Sequence, residues 1–405
     1  MKKCKLAWSH LDFKPGGYAP CFRFKLYKGH KFGGVPDLPS EVINSDEWKR
    51  VRQQLRNDEW PAECVDCKMQ EESGIKSYRQ RFNDHPEEYH PTPDYSKDEI
   101  EVVDLQLKMS RACNYFCRHC GVSSNSAFIK VGRENPEIAQ NLYDNHKFNH
   151  IGSPKTDGNW LNEIDIPTPE VIDDLFENIL PTVRRIDFSG GEPFYHAEMY
   201  KFLQRMIDDP KIDTSKVALS YNTNMSMTKF KQYDIIDLWD HFRQIEITVS
   251  MDGTGKLFNY FRHGGDYDSV VENIHEMCNR INNLESLLLV CTTTAYHAFY
   301  INEISEDLYW LKQDLERLYN IDVRYRTTFV HWPEGLDIVN LAEDTKKKIL
   351  QNLTYNDFTR EFEMRLTHGK RTIPEETFKD IVKIQDQLYN KDASELAPKI
   401  FDYVY

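Results

Sequence analysis

Apolar and polar positions alternate in short aromatic runs near the start of the chain and change to a strand-and-helix rhythm after residue 100. LAWSHLDF (6–13) and YAPCFRF (18–24) are separated by Lys14, Pro15, Gly16 and Gly17, the composition of a hairpin turn. A helix follows: Ser45 suits its cap, Asp46 and Glu47 its first turn, and Trp48, Val51 and Leu55 recur at helical spacing before Pro61 closes the segment. Between 82 and 100 the run NDHPEEYHPTPDYSKDE is polar, proline-rich and without periodicity, as a linker is.

Beyond the linker, strand patterns fall at 102–109, 185–189, 216–222, 244–251, 286–293 and 322–329. Helical patterns separate them: VIDDLFENIL, EMYKFLQRMIDD, FKQYDIIDLWDHF, YDSVVENIHEMCNRINN and EISEDLYWLKQDLERLY. This alternation predicts an α/β fold, a parallel sheet with crossover helices. A polar, Asn-rich insertion near 123–165 lengthens the first connection and suits a lid or substrate loop. After 336 the periodicity is helical. The expected units are therefore 1–81, a linker at 82–100, a barrel-like unit at 101–335 and a helical extension at 336–405.

The chain has 405 residues, enough for about two or three units. Lys plus Arg number 51 against 65 Asp plus Glu, and the net charge of -14 argues against general nucleic-acid binding. No long apolar window suggests a membrane span, and the opening MKKCKLAWSHLDF lacks the apolar core of a secretory signal, so a cytoplasmic protein is expected. Nine cysteines, an odd number, then point to thiolates serving metals rather than to a disulfide framework. Seven fall into two groups. Cys278 and Cys291 stand apart in a helix and a strand pattern and read as small buried hydrophobes.

Cys113, Cys117 and Cys120 directly follow the first strand after the linker, on a loop at the carboxyl end of a parallel strand, where ligand sites collect. A 4Fe–4S cluster takes four ligands, so three close cysteines leave one iron open to an exogenous chelator. Zinc competes, although its fourth ligand would have to be His119, awkwardly placed between two others. The CxxxCxxC spacing resembles the radical SAM superfamily. That resemblance implies a partial (β/α)6 TIM-type barrel in which the three cysteines bind a 4Fe–4S cluster that carries S-adenosylmethionine (SAM). It also implies that His119 lies near the adenine. Ser189-Gly190-Gly191-Glu192-Pro193 resembles the family's GGE element for the SAM amino group. Asn224, in YNTN, and Ser250 and Asp252, in VSMDG, resemble family segments that contact the ribose and carboxylate of SAM. Arg262 is a candidate carboxylate partner through its fork, or equally a surface arginine.

Cys4, Cys21, Cys64 and Cys67 form the other group. The first pair flanks the hairpin and the second follows its helix, so one α+β unit can gather all four thiolates. With the stretch 71–77, this layout resembles the twitch domain, the shortened form of the SPASM auxiliary-cluster domain, here ahead of the barrel rather than after it. The resemblance implies a second 4Fe–4S cluster; a Cys4 zinc ribbon is the alternative. Four cysteines would leave no open iron, which favours an electron-transfer or structural role and suits net oxidation of a substrate. The expected partners are a small-molecule or peptide substrate and an electron donor such as flavodoxin or ferredoxin. Within the class, a redox-neutral epimerase or isomerase and a peptide-modifying maturase remain open; outside it stands a non-catalytic zinc-ribbon interaction protein. No residue is singled out as catalytic.

Overall fold

The computed structural model describes residues 2–14, 17–25, 32–34, 37–87, 90–121, 125–146 and 167–405. Its strands are β1 (His10–Lys14), β2 (Gly17–Ala19), β3 (Asp104–Leu107), β4 (Arg185–Phe188), β5 (Ala218–Thr223), β6 (Gln244–Ser250), β7 (Leu284–Thr293) and β8 (Val323–Phe329). Among the described residues these eight form one sheet in the order β8-β7-β6-β5-β4-β3-β1-β2. Every pairing is parallel except the β1–β2 hairpin. All six strands expected after the linker are present within a few residues of their sequence positions.

The two faces of the sheet differ, and the difference is written in the alternation of the strands. Ile245, Ile247 and Val249 of β6 are fully buried, whereas Glu246, Thr248 and Ser250 on the opposite face are half-buried. β4 repeats this with Ile186 and Phe188 against Arg185 and Asp187. A parallel strand covered by apolar layers on both faces would read as a continuous hydrophobic run. Here one face takes the helices and the other is the polar interior of an open barrel. The helical layer includes α4 (Ala197–Asp208), α5 (Tyr267–Arg280) and α6 (Ile301–Tyr319), each with an apolar stripe such as Met199, Phe202, Leu203 and Met206 facing the sheet.

The N-terminal segment shares this sheet. β1 pairs in parallel with β3, bringing His10 opposite Asp104 and Phe13 opposite Leu107. Residues 82–100 contain little regular structure, yet they are tied to that segment: the Trp8 indole donates to Lys97 O (3.1 Å), the Arg52 guanidinium to Asp98 O (2.5 Å) and the Lys5 ammonium to His90 O (2.7 Å). α1 (Asp46–Arg56) buries Trp48, Val51 and Leu55 as its spacing predicts.

Some elements differ from their sequence patterns. Leu6–Ser9 is a helical turn leading into β1, with the Ser9 hydroxyl bonded back to Lys5 O at 2.8 Å. In FKQYDIIDLWDHF, a ribbon joins Lys229–Phe230 to Tyr233–Asp234 around Lys231 at φ 56°, and the helix is only Ile235–Trp239, started by the Asp234 carboxylate. The polar insertion holds two helices, α2 (Ala127–Glu134) and α3 (Pro136–His146); the rest of it, 147–166, lies outside the described residues. The C-terminal extension is helical and ends with α7 (Glu376–Tyr389) and two short helices.

Candidate active site

The loop after β3 carries Cys113, Cys117 and Cys120 to the carboxyl rim of the sheet. Its shape is fixed by its own backbone and by neighbours: the Cys120 amide donates to Cys117 O (3.0 Å), and the Tyr115 amide approaches the Cys113 sulfur at 3.4 Å. Phe116–Cys117 pairs with Arg262–His263, so Cys117 lies opposite Arg262.

Gly190 and Gly191 both take positive φ, 83° and 53°. A Cβ on Gly191 would stand 2.2 Å from Ala112 O, and the Glu192 amide donates to that same carbonyl at 2.8 Å. The second glycine is therefore demanded by the close approach of the cysteine loop. Glu192 is buried and accepts from the Phe194 amide (3.1 Å), the Thr223 hydroxyl (2.7 Å) and the Asn224 amide (2.6 Å). Burial raises its carboxyl above the usual range despite these donors. The Asn224 side-chain amide reaches the Cys113 sulfur at 3.9 Å and Asn114 Oδ1 at 3.0 Å.

On the other side of the loop, Asp252 is fully buried. Its Oδ1 accepts from the Thr292 amide at 2.7 Å. Its Oδ2 lies 2.8 Å from Arg262 Nε, an ion pair without hydrogen-bond alignment, and 3.8 Å from His119 Nδ1. Burial works to raise this carboxyl, but Arg262 and His119 hold it below its ordinary range. Arg262 is buried, not a surface residue. Ser250 closes β6 two residues before Asp252, half-buried on the barrel face. Asp252 also groups with Cys291 and His297, donor atoms within 4.8 Å of one another. There, His297 Nδ1 is occupied by the Thr294 amide (3.0 Å) and hydroxyl (2.8 Å), and Arg262 already neutralises the carboxylate, which leaves little for a cation.

Arg118, inside the cysteine motif, is a residue that spacing did not single out. It is buried, stacks 3.7 Å from the Tyr260 ring centroid, and donates to Tyr260 O (2.9 Å) and Asp386 Oδ1 (2.6 Å). Gln385 returns a bond to Arg118 O at 2.8 Å. A charged residue between two metal-ligand candidates was the available signal.

Cys4, Cys21, Cys64 and Cys67 line one small cavity beside Leu55 and Trp60. Burial pushes the Cys4 thiol up to about 11, and burial with the neighbouring thiolates raises Cys21 and Cys64. Like charges so gathered favour a bound cation. The 71–77 stretch braces this site: Arg79 forks onto Glu71 at 2.9 and 2.8 Å, and the Ser77 hydroxyl donates to Glu71 at 2.6 Å. Among the described residues, no three cysteine sulfurs all lie within 4.8 Å of one another. Tetrahedral zinc, with Zn–S near 2.3 Å, needs sulfurs about 3.8 Å apart. The Cys113, Cys117 and Cys120 thiols, opened more widely than one ion requires, have the spread that a multi-iron cluster needs.

Residues 107–298 match the family described as the Radical SAM superfamily. Members of this superfamily are enzymes of SAM-dependent radical chemistry that bind a 4Fe–4S cluster. Over 170 residues the chain is 24% identical to the radical SAM cyclopropyl synthase TigE of Paramaledivibacter caminithermalis. That match covers 41% of this chain and 30% of the relative, so the chain spans under a third of the relative's length. A solved structure of TYW1 with a lysine-pyruvate adduct bound is similar over 62% of this chain and 70% of that one, at 11% identity and a TM-score of 0.27. No described helix is long and apolar enough to cross a membrane.

Proposed function

We propose that this chain is a two-cluster radical SAM enzyme that abstracts hydrogen from a small-molecule or peptide substrate in a net oxidation. The observation that carries this reading is the gathering of the three-cysteine loop, the Gly190-Gly191-Glu192 turn and the polar ends of β5 and β6 at one carboxyl rim. When bound, the cluster and SAM supply reductive cleavage of the sulfonium and a carbon radical that removes hydrogen.

The chain's own residues do the positioning. Cys113, Cys117 and Cys120 hold the catalytic cluster. Glu192, with acceptor capacity beyond its three protein donors, takes the SAM ammonium, and Arg262, anchored by Asp252, takes its carboxylate. Gly190, Gly191, Asn224 and Ser250 complete that pocket, with His119 beside the adenine. Cys4, Cys21, Cys64 and Cys67 hold the second cluster, whose filled ligand set suits it to take an electron from substrate rather than bind it. An external donor such as flavodoxin or ferredoxin supplies the first electron.

Anaerobic reconstitution tests this reading directly. We expect about eight irons per chain, 5'-deoxyadenosine from SAM under dithionite, and loss of that product in Cys117→Ala. A colourless protein holding stoichiometric zinc would overturn it. For the second cluster, Cys64→Ala with Cys67→Ala is expected to stop formation of oxidised product while 5'-deoxyadenosine still forms; undiminished product would remove the electron-acceptor role.

A further inference from the structure

On the barrel face of the sheet lies a cavity of about 210 Å³ whose polar lining is His10, Asp104, Gln106, Arg185, Asp187 and Asn222, with Phe22 and Phe82 beside them. Strand register builds it: His10 stands opposite Asp104, Asp104 opposite Arg185, and Gln106 opposite Asp187. Its charge is unbalanced. Arg185 is shared among Glu246 (3.0 Å), Asp104 (3.4 Å) and Asp187 (3.7 Å), three carboxylates around one guanidinium. The nearby Lys5 ammonium is committed to Glu87 and His90 O.

His10 is 2% exposed, and its Nδ1 lies 2.8 Å from Asp104 Oδ2. Burial would raise the Asp104 carboxyl, but His10 and Arg185 hold it below its usual range. The ionised carboxylate can only accept, so His10 Nδ1 donates to it. The ring's Nε2 is buried and has no hydrogen-bond partner. Gln106 gives its amide to Ser189 Oγ at 3.4 Å, and its buried Oε1 is also without a partner. Excess carboxylate and the orphaned Gln106 Oε1 in a single cavity ask for a ligand that brings donors and positive charge.

We infer that this cavity binds the substrate through a primary ammonium group, held by Gln106 Oε1 and the Asp104 and Asp187 carboxylates. This rests on the radical SAM reading above and gives it a substrate class: an amine-bearing small molecule, or a peptide presenting a lysine-like side chain. A neutral polyol could meet the acceptors but would leave the carboxylate excess uncompensated.

The test uses the reconstituted full-length chain with two probes of equal skeleton, butylammonium and 1-butanol, followed by saturation-transfer NMR. Butylammonium is expected to bind about tenfold or more tightly than the alcohol, as charge-assisted hydrogen bonds require. The preference should collapse in Asp187→Asn and in Gln106→Leu, with circular dichroism confirming that each variant is folded. Equal binding of the two probes, no binding of either, or a preference untouched by both substitutions would overturn the inference. Should one variant fail to fold, the wild-type comparison and the other variant still decide. Formation of 5'-deoxyadenosine by the wild-type chain is scored separately. Its presence without an ammonium preference sinks the cavity assignment alone, and an ammonium preference without it sinks the radical SAM reading.

Discussion

At the scale of single residues, the cysteine loop depends on a glycine whose reason lies outside its own turn. Gly190 and Gly191 both have positive φ, but their surroundings differ. A Cβ at 190 meets only the flexible Lys108 side chain at 3.2 Å, whereas one at 191 meets Ala112 O at 2.2 Å and the Arg111 carbonyl carbon at 2.7 Å. Gly190→Ala should therefore cost about 1 kcal/mol of backbone strain. Gly191→Ala must also displace the loop that bears Cys113, and about 3 kcal/mol is expected, with a fall in bound iron. Urea unfolding and iron assay of the two variants check this; equal effects would show that the contact with Ala112 does not matter. Cysteine spacing and the GGE turn were legible because both are local in sequence. The need for Gly191 itself was not legible, because the backbone that crowds it comes from another strand's loop.

Among the elements, the strands were legible and the clasp between distant ones was not. The six strand patterns reappear because each needs a buried apolar face, which alternation records directly. The pattern 230–242 fared worse, since Lys231 turns the chain into a ribbon before a helix can start. Least visible was the attachment of α7 to the cysteine loop, where Arg118 and Asp386 meet across 268 positions of sequence. The Tyr260 hydroxyl also donates to Asp386 at 2.8 Å, and the Tyr296 hydroxyl to Gln385 at 2.6 Å, so the C-terminal extension clamps the loop from outside. Removing one partner of a buried ion pair leaves the other charge uncompensated, at about 3–5 kcal/mol. Asp386→Ala should lower the unfolding free energy by that order and loosen the Cys117–Cys120 segment, read as faster amide exchange at 118–120. An unchanged unfolding curve would mean that the clasp contributes nothing.

For the whole molecule, buried histidines set an acid limit that no sequence pattern announces. Burial lowers His90, His196, His263 and His297 each to about 4 from 6.5. His297 shows why: it is 1% exposed, and its Nδ1 accepts from the Thr294 amide and hydroxyl, bonds that a proton there would abolish. A group whose pKa is depressed by folding stabilises the folded state above its unfolded pKa and loses that contribution as pH falls toward the folded one. For His297 the shift from 6.5 to about 4 corresponds to about 3 kcal/mol. The unfolding free energy should therefore be flat from about pH 6.5 to about 8, below the range where the buried thiols titrate in the unfolded chain, and decline steeply between 6.5 and 4, with proton uptake on unfolding. Urea titrations across that window measure the slope directly. A free energy independent of pH there would mean that these imidazoles bind protons as readily in the folded chain as in the unfolded one, and that burial does not hold them neutral.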